Sequence, residues 1–393
     1  MPWQTQTPMS QRLEFIEALV AGRRPMRALC KEFGIAEKTG HKWRNRFLAG
    51  GPAALADRSH APVVPPHQVP PAQREVLLTL REAHPTWGAR KLRAFLARQE
   101  PTTAWPAPST ITTLLKRAGL ITARRRRDPA ASRWATTALT QPGGPNDVWA
   151  TDFKGEFKLR PGAYCYPLTV SDLHSRYLLG CTALASTASA PVRVVFQQLF
   201  QRYGLPRVIR SDNGVPFASP AALGGLSALS VWWIRLGIRP ERTTKGKPTD
   251  NGTHERMHRT MKAEATRPED SLDAQQRRFT AWQTEFNTCR PHEALGQTPP
   301  SAHYHASDRR YPARLPLLDY APHLLLRRVT ADGFIRYRNR RISLSLTLAG
   351  EYVALEEQLE DRWQIRFGPL QLGHFVAIDD TFEPDLAWLP TAP

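Results

Sequence analysis

The sequence predicts a multidomain α+β protein, with helical units at the N-terminus, a mixed α/β layer in the middle and a small β-barrel at the C-terminus. Three observations predict it. Apolar residues recur at helical spacing through about residue 122. Strand-like runs rich in Val, Tyr, Thr and Leu begin at Asp147, and short alternating strands return after about residue 325. At 393 residues the chain exceeds one ordinary core and calls for two to four domains.

Residues 1–60 read as a helical DNA-binding domain, with three short helices over 10–49. Ser10 reads as an N-cap, followed by a stripe of Leu13, Ile16, Leu19 and Val20. Gly34, bracketed by Leu29, Phe33 and Ile35, supplies a tight turn. On the third helix Trp43 and Phe47 face inward, leaving Lys38, Lys42, Arg44 and Asn45 outside. This is a helix-turn-helix pattern, whose last helix would enter a DNA major groove; the competing reading is a plain bundle with a solvated basic face. Residues 61–70 form a Pro-rich linker, with five prolines between Pro62 and Pro71. Residues 71–123 return to helical periodicity through Val76, Leu77, Leu80, Leu92, Phe95, Leu96, Ile111, Leu114 and Leu115, as a second helical DNA-binding unit. A basic linker spans 124–146, opened by Arg124, Arg125, Arg126 and Arg127.

The layer at 147–305 has strands at 148–153, 164–171, 177–184 and 207–211. A helix starts near Pro191, and others cover 225–236, 251–265 and 271–288. At 325–385, Phe334, Ile335 and Tyr337, then Ile342, Leu344 and Leu346, then Tyr352 and Val353, then Trp363, Ile365 and Phe367 predict the strands of the barrel. There is no solenoid repeat.

The formal net charge of +19 implies an acidic polymer as partner. Residues 1–140 hold 23 Lys and Arg against 9 Asp and Glu, so most of the surplus lies in the helical part and tilts its reading toward DNA. With no apolar run long enough to span a bilayer and no secretory leader, a membrane is not the expected partner. Cys30, Cys165, Cys181 and Cys289 lack the paired spacing of a zinc site and read as core filler in a reducing cytoplasm.

Three acids stand where rigid elements would aim them. Asp152 ends a strand, Asp212 follows another before Asn213-Gly214, and Glu255 lies on a helix opened by Asn251-Gly252. Singly, each has a plainer reading: a turn former, an amide cap, or a surface ion pair of Glu255 with Arg259. Jointly they read as an all-carboxylate set suited to Mg²⁺, while Arg259 and Lys262, four and seven residues on, share the face of Glu255 and would meet phosphate. Two divalent ions about 4 Å apart activate the attacking oxygen and stabilise the leaving one in phosphodiester exchange.

With these motifs in order, the chain resembles the DDE transposases of bacterial insertion sequences, the branch sharing the retroviral-integrase core. The resemblance rests on TDF at 151–153, SDNG at 211–214, DNGTHERMHRTMK at 250–262 and FNTCRPHEALGQTP at 286–299. It implies a ribonuclease-H-like catalytic core at 147–305, with Asp152, Asp212 and Glu255 as ligands of Mg²⁺ (Mn²⁺ substituting). It also implies double-stranded DNA partners, the terminal inverted repeats and the target, and at least a homodimer on DNA at the bacterial nucleoid. Two departures stand out: there is no His/Cys zinc unit at the N-terminus, and the 42 residues between Asp212 and Glu255 are more than is usual. The extra length falls at Gly224 to Trp233, apolar and helical.

Glu241 and Glu264 compete as third acid. The first has no helix to aim it and the second lies on another helical face, so Glu255 is preferred. Asp172 reads as a turn former or a partner of Arg176 ahead of a group at or beside the metal, and His254 and His258 as packed neighbours or DNA contacts ahead of metal ligands. Arg336, Arg338, Arg340 and Arg341 are surface candidates on the barrel. Two rival functions share these features: a DNA-binding regulator with relic acids, and a nuclease that cuts without joining. Replacing Arg124 to Arg127 with Ser is expected to weaken binding to all DNA sequences and to flatten the salt dependence by about 1 for each phosphate no longer neutralised. Anisotropy titrations over a range of salt check this; a changed sequence preference at constant slope would refute it.

Overall fold

The computed structural model describes residues 7–58, 69–121, 139–160, 162–219, 222–243, 252–359, 361–376 and 381–388. The prolines of the linker at 62–66, Arg124 to Arg127, and Asp250-Asn251 lie outside the described residues. The chain divides into two compact units, 1–70 and 71–393.

In the first unit, α1 (Pro8–Val20), α2 (Met26–Glu32) and α3 (Glu37–Gly50) enclose Phe15, Ile16, Leu29, Cys30, Trp43 and Leu55. The N-cap of α1 is Thr7, not Ser10; Ser10 is the reciprocal partner three residues on, closing a capping box. Val20, placed in the apolar stripe by its spacing, is 72% exposed, because the helix turns its Phe15–Ile16 side to the core. Gly34 adopts φ +63 at the predicted turn. Gly40 sits inside α3 because a Cβ there would meet Cys30 Sγ at 2.5 Å and the Phe15 ring at 3.0 Å.

In the second unit, α4 (Pro71–Ala83), α5 (Ala89–Gln99) and α6 (Pro108–Arg117) bury Leu77, Trp87, Leu92, Leu96, Trp105, Ile111 and Leu115. Side-chain bonds join this bundle to residues 285–293. His84 Nδ1 lies 3.0 Å from Glu285, Arg90 pairs with Glu293 at 2.8 Å, and Arg98 donates to the Cys289 carbonyl at 2.8 Å.

Six strands form the central sheet: β1 (Val148–Phe153), β2 (Phe157–Lys158), β3 (Tyr164–Asp172), β4 (Leu178–Leu184), β5 (Val208–Ser211) and β6 (Arg239–Arg242). The order is β2-β3-β1-β5-β6, with β4 also on β3. β1, β3 and β4 are antiparallel, while β5 and β6 continue in parallel from β1, which is the ribonuclease-H-like arrangement. β6 escapes sequence reading because Arg-Pro-Glu-Arg carries a proline and three charges; as an edge strand it tolerates both. α7 (Ser189–Tyr203) starts two residues before Pro191, which sits in the first turn where its missing N–H costs nothing. α7 and α8 (Ala228–Arg235) cover one face through Phe196, Phe200, Trp232 and Trp233 against Trp149, Leu168 and Ile209. On the other face α9 (Gly252–Glu264) and α10 (Leu272–Thr288) bring Met257, Met261, Phe279 and Phe286 onto Cys165, Leu178 and Cys181.

α10 also satisfies the free edge of β4. Gln276 accepts from Ala183 N and donates to Cys181 O, Gln283 donates to Leu178 O, and Asn287 both accepts from Leu178 N and donates to its carbonyl. Three amide side chains thus stand in for a neighbouring strand.

The C-terminal strands are β7 (Leu325–Arg328), β8 (Phe334–Tyr337), β9 (Arg340–Ser343), β10 (Tyr352–Leu359), β11 (Arg362–Phe367), β12 (Leu370–Val376) and β13 (Thr381–Trp388). Among the described residues they pair as a five-stranded sheet, β13-β12-β11-β10-β7, and a separate β8–β9 hairpin, not as a ring of paired strands. Bulges in β10, β11 and β12 coil the sheet, and the hairpin lies between its two edges, β8 against β7 and β9 against β13. Leu344 and Leu346 leave the strand; a 3-10 turn spans Leu346–Leu348 and Leu346 is exposed. The inserted helix α8 belongs to two cores. Trp232 and Trp233 face the central sheet, while Val231 and Ile234 join Val353, Ile365 and Phe367.

Asn287→Leu is expected to lower the unfolding free energy by about 1–3 kcal/mol, because it leaves the Leu178 N–H buried without a partner. Urea denaturation followed by tryptophan fluorescence measures it; an unchanged midpoint would show that α10 does not carry the β4 edge.

Candidate active site

The register of β1 with β5 pairs Val148 with Val208, Trp149 with Ile209 and Ala150 with Arg210. Continued two residues further, it sets Asp152 beside Asp212, and parallel neighbours stand about 4.8 Å apart. Asp152 is the better shielded of the two, with a side chain 28% exposed, whereas Asp212 is exposed. The Asp152 carboxyl is pushed up to about 7, first by burial, then by Asp212, with Glu255 adding to the effect; the Phe153 amide and Lys154 oppose it. Asp212 Oδ1 also accepts from Gly214 N at 3.1 Å, so the turn-forming role of an Asp before Asn-Gly is present as well. A Cβ on Gly214 would stand 2.9 Å from the Asp212 carboxylate.

Glu255 occupies the first turn of α9, and its direction is set by the side chains that the helix buries. His254, Met257, His258 and Met261 pack inward, leaving Glu255, Arg259 and Lys262 on the exposed side. Among the described residues Glu255 and Arg259 form no ion pair, so the plain surface-pair reading does not describe them. Both histidines are packed neighbours. Burial holds His254 down to about 3 and His258 to about 2, so both are neutral rings. Thr169 Oγ1 donates to the Asp152 carbonyl at 3.1 Å and meets His254 Nε2 at 2.8 Å and His258 Nε2 at 2.6 Å. A hydroxyl has one proton, so both Nε2 atoms must carry theirs and donate to Thr169. Ser171 Oγ then donates to His254 Nδ1 at 2.8 Å, and the bare Nδ1 of His258 faces Asp152 Oδ2 at 3.7 Å. Helix α9 is thereby pinned to the strand beside Asp152, an anchor visible in the sequence only as histidines four residues apart.

The competing acids are engaged elsewhere. Glu241 forms a buried pair with Arg210 at 2.7 Å and accepts from Thr140 N. Glu264 accepts from Arg290 at 2.7 Å and from Trp282 Nε1 at 2.8 Å. Asp172 is a turn former, accepting from Asn146 N, Ser175 N and Ser175 Oγ; among the described residues it makes no ion pair with Arg176. Lys38, Lys42 and Asn45 are exposed on α3, with Arg44 donating to Asn45 Oδ1 at 3.4 Å. Arg336, Arg338 and Arg341 are exposed and Arg340 half-buried. All four cysteines are free; Cys30, Cys165 and Cys181 are core filler and Cys289 is half-buried.

Among the described residues no three acidic, His or Cys side chains are drawn together as a metal cage. The donor set nevertheless suits a hard divalent cation. It offers only carboxylate oxygens, and the proton affinity of Asp152 is raised first by burial and then by the neighbouring Asp212, a repulsion that a cation would relieve.

Comparison with known proteins matches the same segments. Integrase core domain models match residues 142–248 and 236–300. A helix-turn-helix domain model matches 11–62, and a homeodomain-like domain model matches 39–115. This chain carries an integrase core behind helix-turn-helix domains. The 31.7 kDa protein of insertion element IS407 from Burkholderia multivorans is 28% identical over 227 residues, which is 57% of this chain and 78% of that protein. The Gag-Pol polyprotein of baboon endogenous virus is 29% identical over 203 residues, covering 50% of this chain and 11% of the polyprotein. The magnesium complex of the HTLV-2 integrase catalytic core aligns with a TM-score of 0.33 and 17% identity, covering 42% of this chain and 100% of that one. Helix-turn-helix and integrase core domains together imply DNA binding. No described helix is long and apolar enough to cross a membrane.

Because the folded-state value of Asp152 lies above its ordinary 3.8, the stability tied to its proton is intact below about pH 4 and lost as pH rises through about 7. In a chelating buffer the integrase core is therefore expected to lose ~2 kcal/mol between pH 4 and 8, after discounting for solvent screening, and Asp152→Asn to abolish most of that loss. Urea midpoints at both pH values test this; equal slopes for wild type and variant would remove the electrostatic account.

Proposed function

We propose that this chain is a DNA transposase that binds the ends of its element, hydrolyses a strand at each end and joins the freed 3′-hydroxyl to target DNA. The observation that carries this reading is the parallel pairing of β1 with β5, which sets Asp152 and Asp212 side by side; the charge of Glu255 adds a small further push to the proton affinity of Asp152. Asp152, Asp212 and Glu255 would hold the divalent ions, Mg²⁺ or in its place Mn²⁺. Bound there, the ions supply charge relief at the phosphate and activation of the attacking oxygen.

The protein's own groups do the positioning. Glu255, Arg259 and Lys262 share the exposed side of α9, so the two cations would hold backbone phosphates beside the acids. Thr169, His254 and His258 keep that helix against β3, and the two imidazoles stay neutral, adding no charge beneath the carboxylates. On α3, Lys38, Lys42 and Asn45 would read bases of the terminal repeats. The C-terminal sheet and hairpin would close on DNA or a second protomer as a barrel-like unit, through Arg336, Arg338, Arg340 and Arg341. Two ends must be joined, so the working form is at least a homodimer, acting on the bacterial nucleoid in the cytoplasm. The likeness to the IS407 protein supports the insertion-element reading.

Asp152→Asn, Asp212→Asn and Glu255→Gln are each expected to reduce cleavage and strand joining by at least about 10³-fold while changing affinity for the element ends less than about threefold. Gel assays with DNA carrying the flanking inverted repeats, with Mg²⁺ and with chelator, read all three steps. Normal joining by Glu255→Gln would remove α9 from the mechanism. Cutting without joining would favour a nuclease, and binding alone a regulator.

A further inference from the structure

On the far side of α9 from Lys262 lies a cavity of about 200 Å³ that the proposed chemistry does not use. Four cations line it, each from a different element: Lys91 from α5, Arg176 from the turn between β3 and β4, Arg256 from α9, and Arg290 just after α10. Its acids are already engaged. Both oxygens of Asp172 accept from Asn146 and Ser175, and Glu293 is held by Arg90 at 2.8 Å. Arg290 is paired with Glu264, but among the described residues Lys91, Arg176 and Arg256 make no ion pair. Arg176 is also held at φ +64, a left-handed conformation costing a β-carbon-bearing residue about 1–2 kcal/mol. A strained arginine lining one cavity with three other cations is an arrangement that packing alone would not favour.

We propose that this cavity is a phosphate-binding site that ties the second helical bundle to the integrase core. It is too small for a base pair but has room for one phosphate and part of its sugar. The guanidinium groups of Arg176, Arg256 and Arg290 in its lining are of the kind that pairs with phosphate oxygens. The electrostatics agree. Burial and Arg290 bring the Lys91 ammonium down to about 8 although Glu264 and Glu293 pull the other way, and burial and Arg256 lower Arg176 against Asp172, so these acids leave a repulsion among the cations that an anion would relieve. Because Lys91 belongs to the helical bundle and the other three to the core, an occupied site cross-links the two. The phosphate has two possible sources, a DNA backbone phosphodiester or free phosphate. The site does not depend on the catalytic reading, since its test measures binding.

The test uses the full chain in phosphate-free buffer. Inorganic phosphate binding is measured by calorimetry, and binding of a short labelled duplex by anisotropy, with and without phosphate. Lys91→Gln and Arg256→Gln are each expected to weaken one or both affinities at least tenfold, while Arg277→Gln on the exposed side of α10 changes neither more than twofold. Arg176→Gly, which suits the left-handed backbone, gives a third variant should either of the others misfold. Phosphate that displaces the duplex from wild type but not from Arg256→Gln identifies the backbone as ligand. Phosphate that binds without disturbing the duplex identifies the free anion. Affinities for both probes that stay within twofold of wild type in every folded variant overturn the site. Glu255→Gln should bind both probes normally, so failure of the chemistry and failure of this site are told apart.

Discussion

The pairing of β1 between β3 and β5 is the constraint on which the rest of the core hangs. On one side β1 is antiparallel to β3 and on the other parallel to β5, so it is the strand at which the sheet changes direction. Its inward side chains are fully buried, Trp149 against Phe200 among them. A one-residue slip would turn Trp149 out of the core and move Asp152 to the opposite face. The large hydrophobic term thus holds the register, and the register holds two carboxylates at one height. Their repulsion is the smaller term, and after burial it is the second cause of the raised proton affinity of Asp152.

The helices around that sheet each solve a local problem that the strands leave open. α10 supplies amide groups where β4 has no neighbour, and α9 is fastened by two neutral histidines to a buried threonine. α8 serves two cores at once, and Arg235 on the same helix reaches Glu351 at 3.2 Å, so the C-terminal sheet is fastened to the helix that covers the central one. Glu264 and Arg290 do the same on the other flank. They form one buried pair with Trp282, and Thr86 of the preceding helical bundle hydrogen-bonds to both. A half-satisfied version of that cluster would be costly, which gives the bundle a fixed seat on the core.

Much of this was legible in the residues alone. The helix-turn-helix unit, the strands at 148–153, 164–171, 177–184 and 207–211 and the long helices are readable from local periodicity, because burial on one face writes itself into spacing. Asp152, Asp212 and Glu255 are legible as candidates because each stands beside turn or helix-start residues that would aim it. What stays illegible in the residues is of a different kind. Ser10 and Thr7 are both competent caps, and only the path of the chain chooses between them. β6 has no apolar pattern, since an edge strand beside β5 is held by backbone hydrogen bonds rather than by its side chains.

The sequence by itself therefore determined most of the elements, β6 excepted, and singled out the three candidate acids, since these depend on neighbours a few residues apart. Only the tertiary structure decided that Glu241 and Glu264 are committed to Arg210 and Arg290, and that His254 and His258 are buried and neutral. It also decided that, among the described residues, the C-terminal strands pair as a five-stranded sheet and a separate hairpin placed between its edges. The cavity joining Lys91, Arg176, Arg256 and Arg290 draws on positions 199 residues apart, and no local pattern encodes it. Its charges meet only after the hydrophobic faces of four separate elements have been buried, and burial, not charge, sets where they meet.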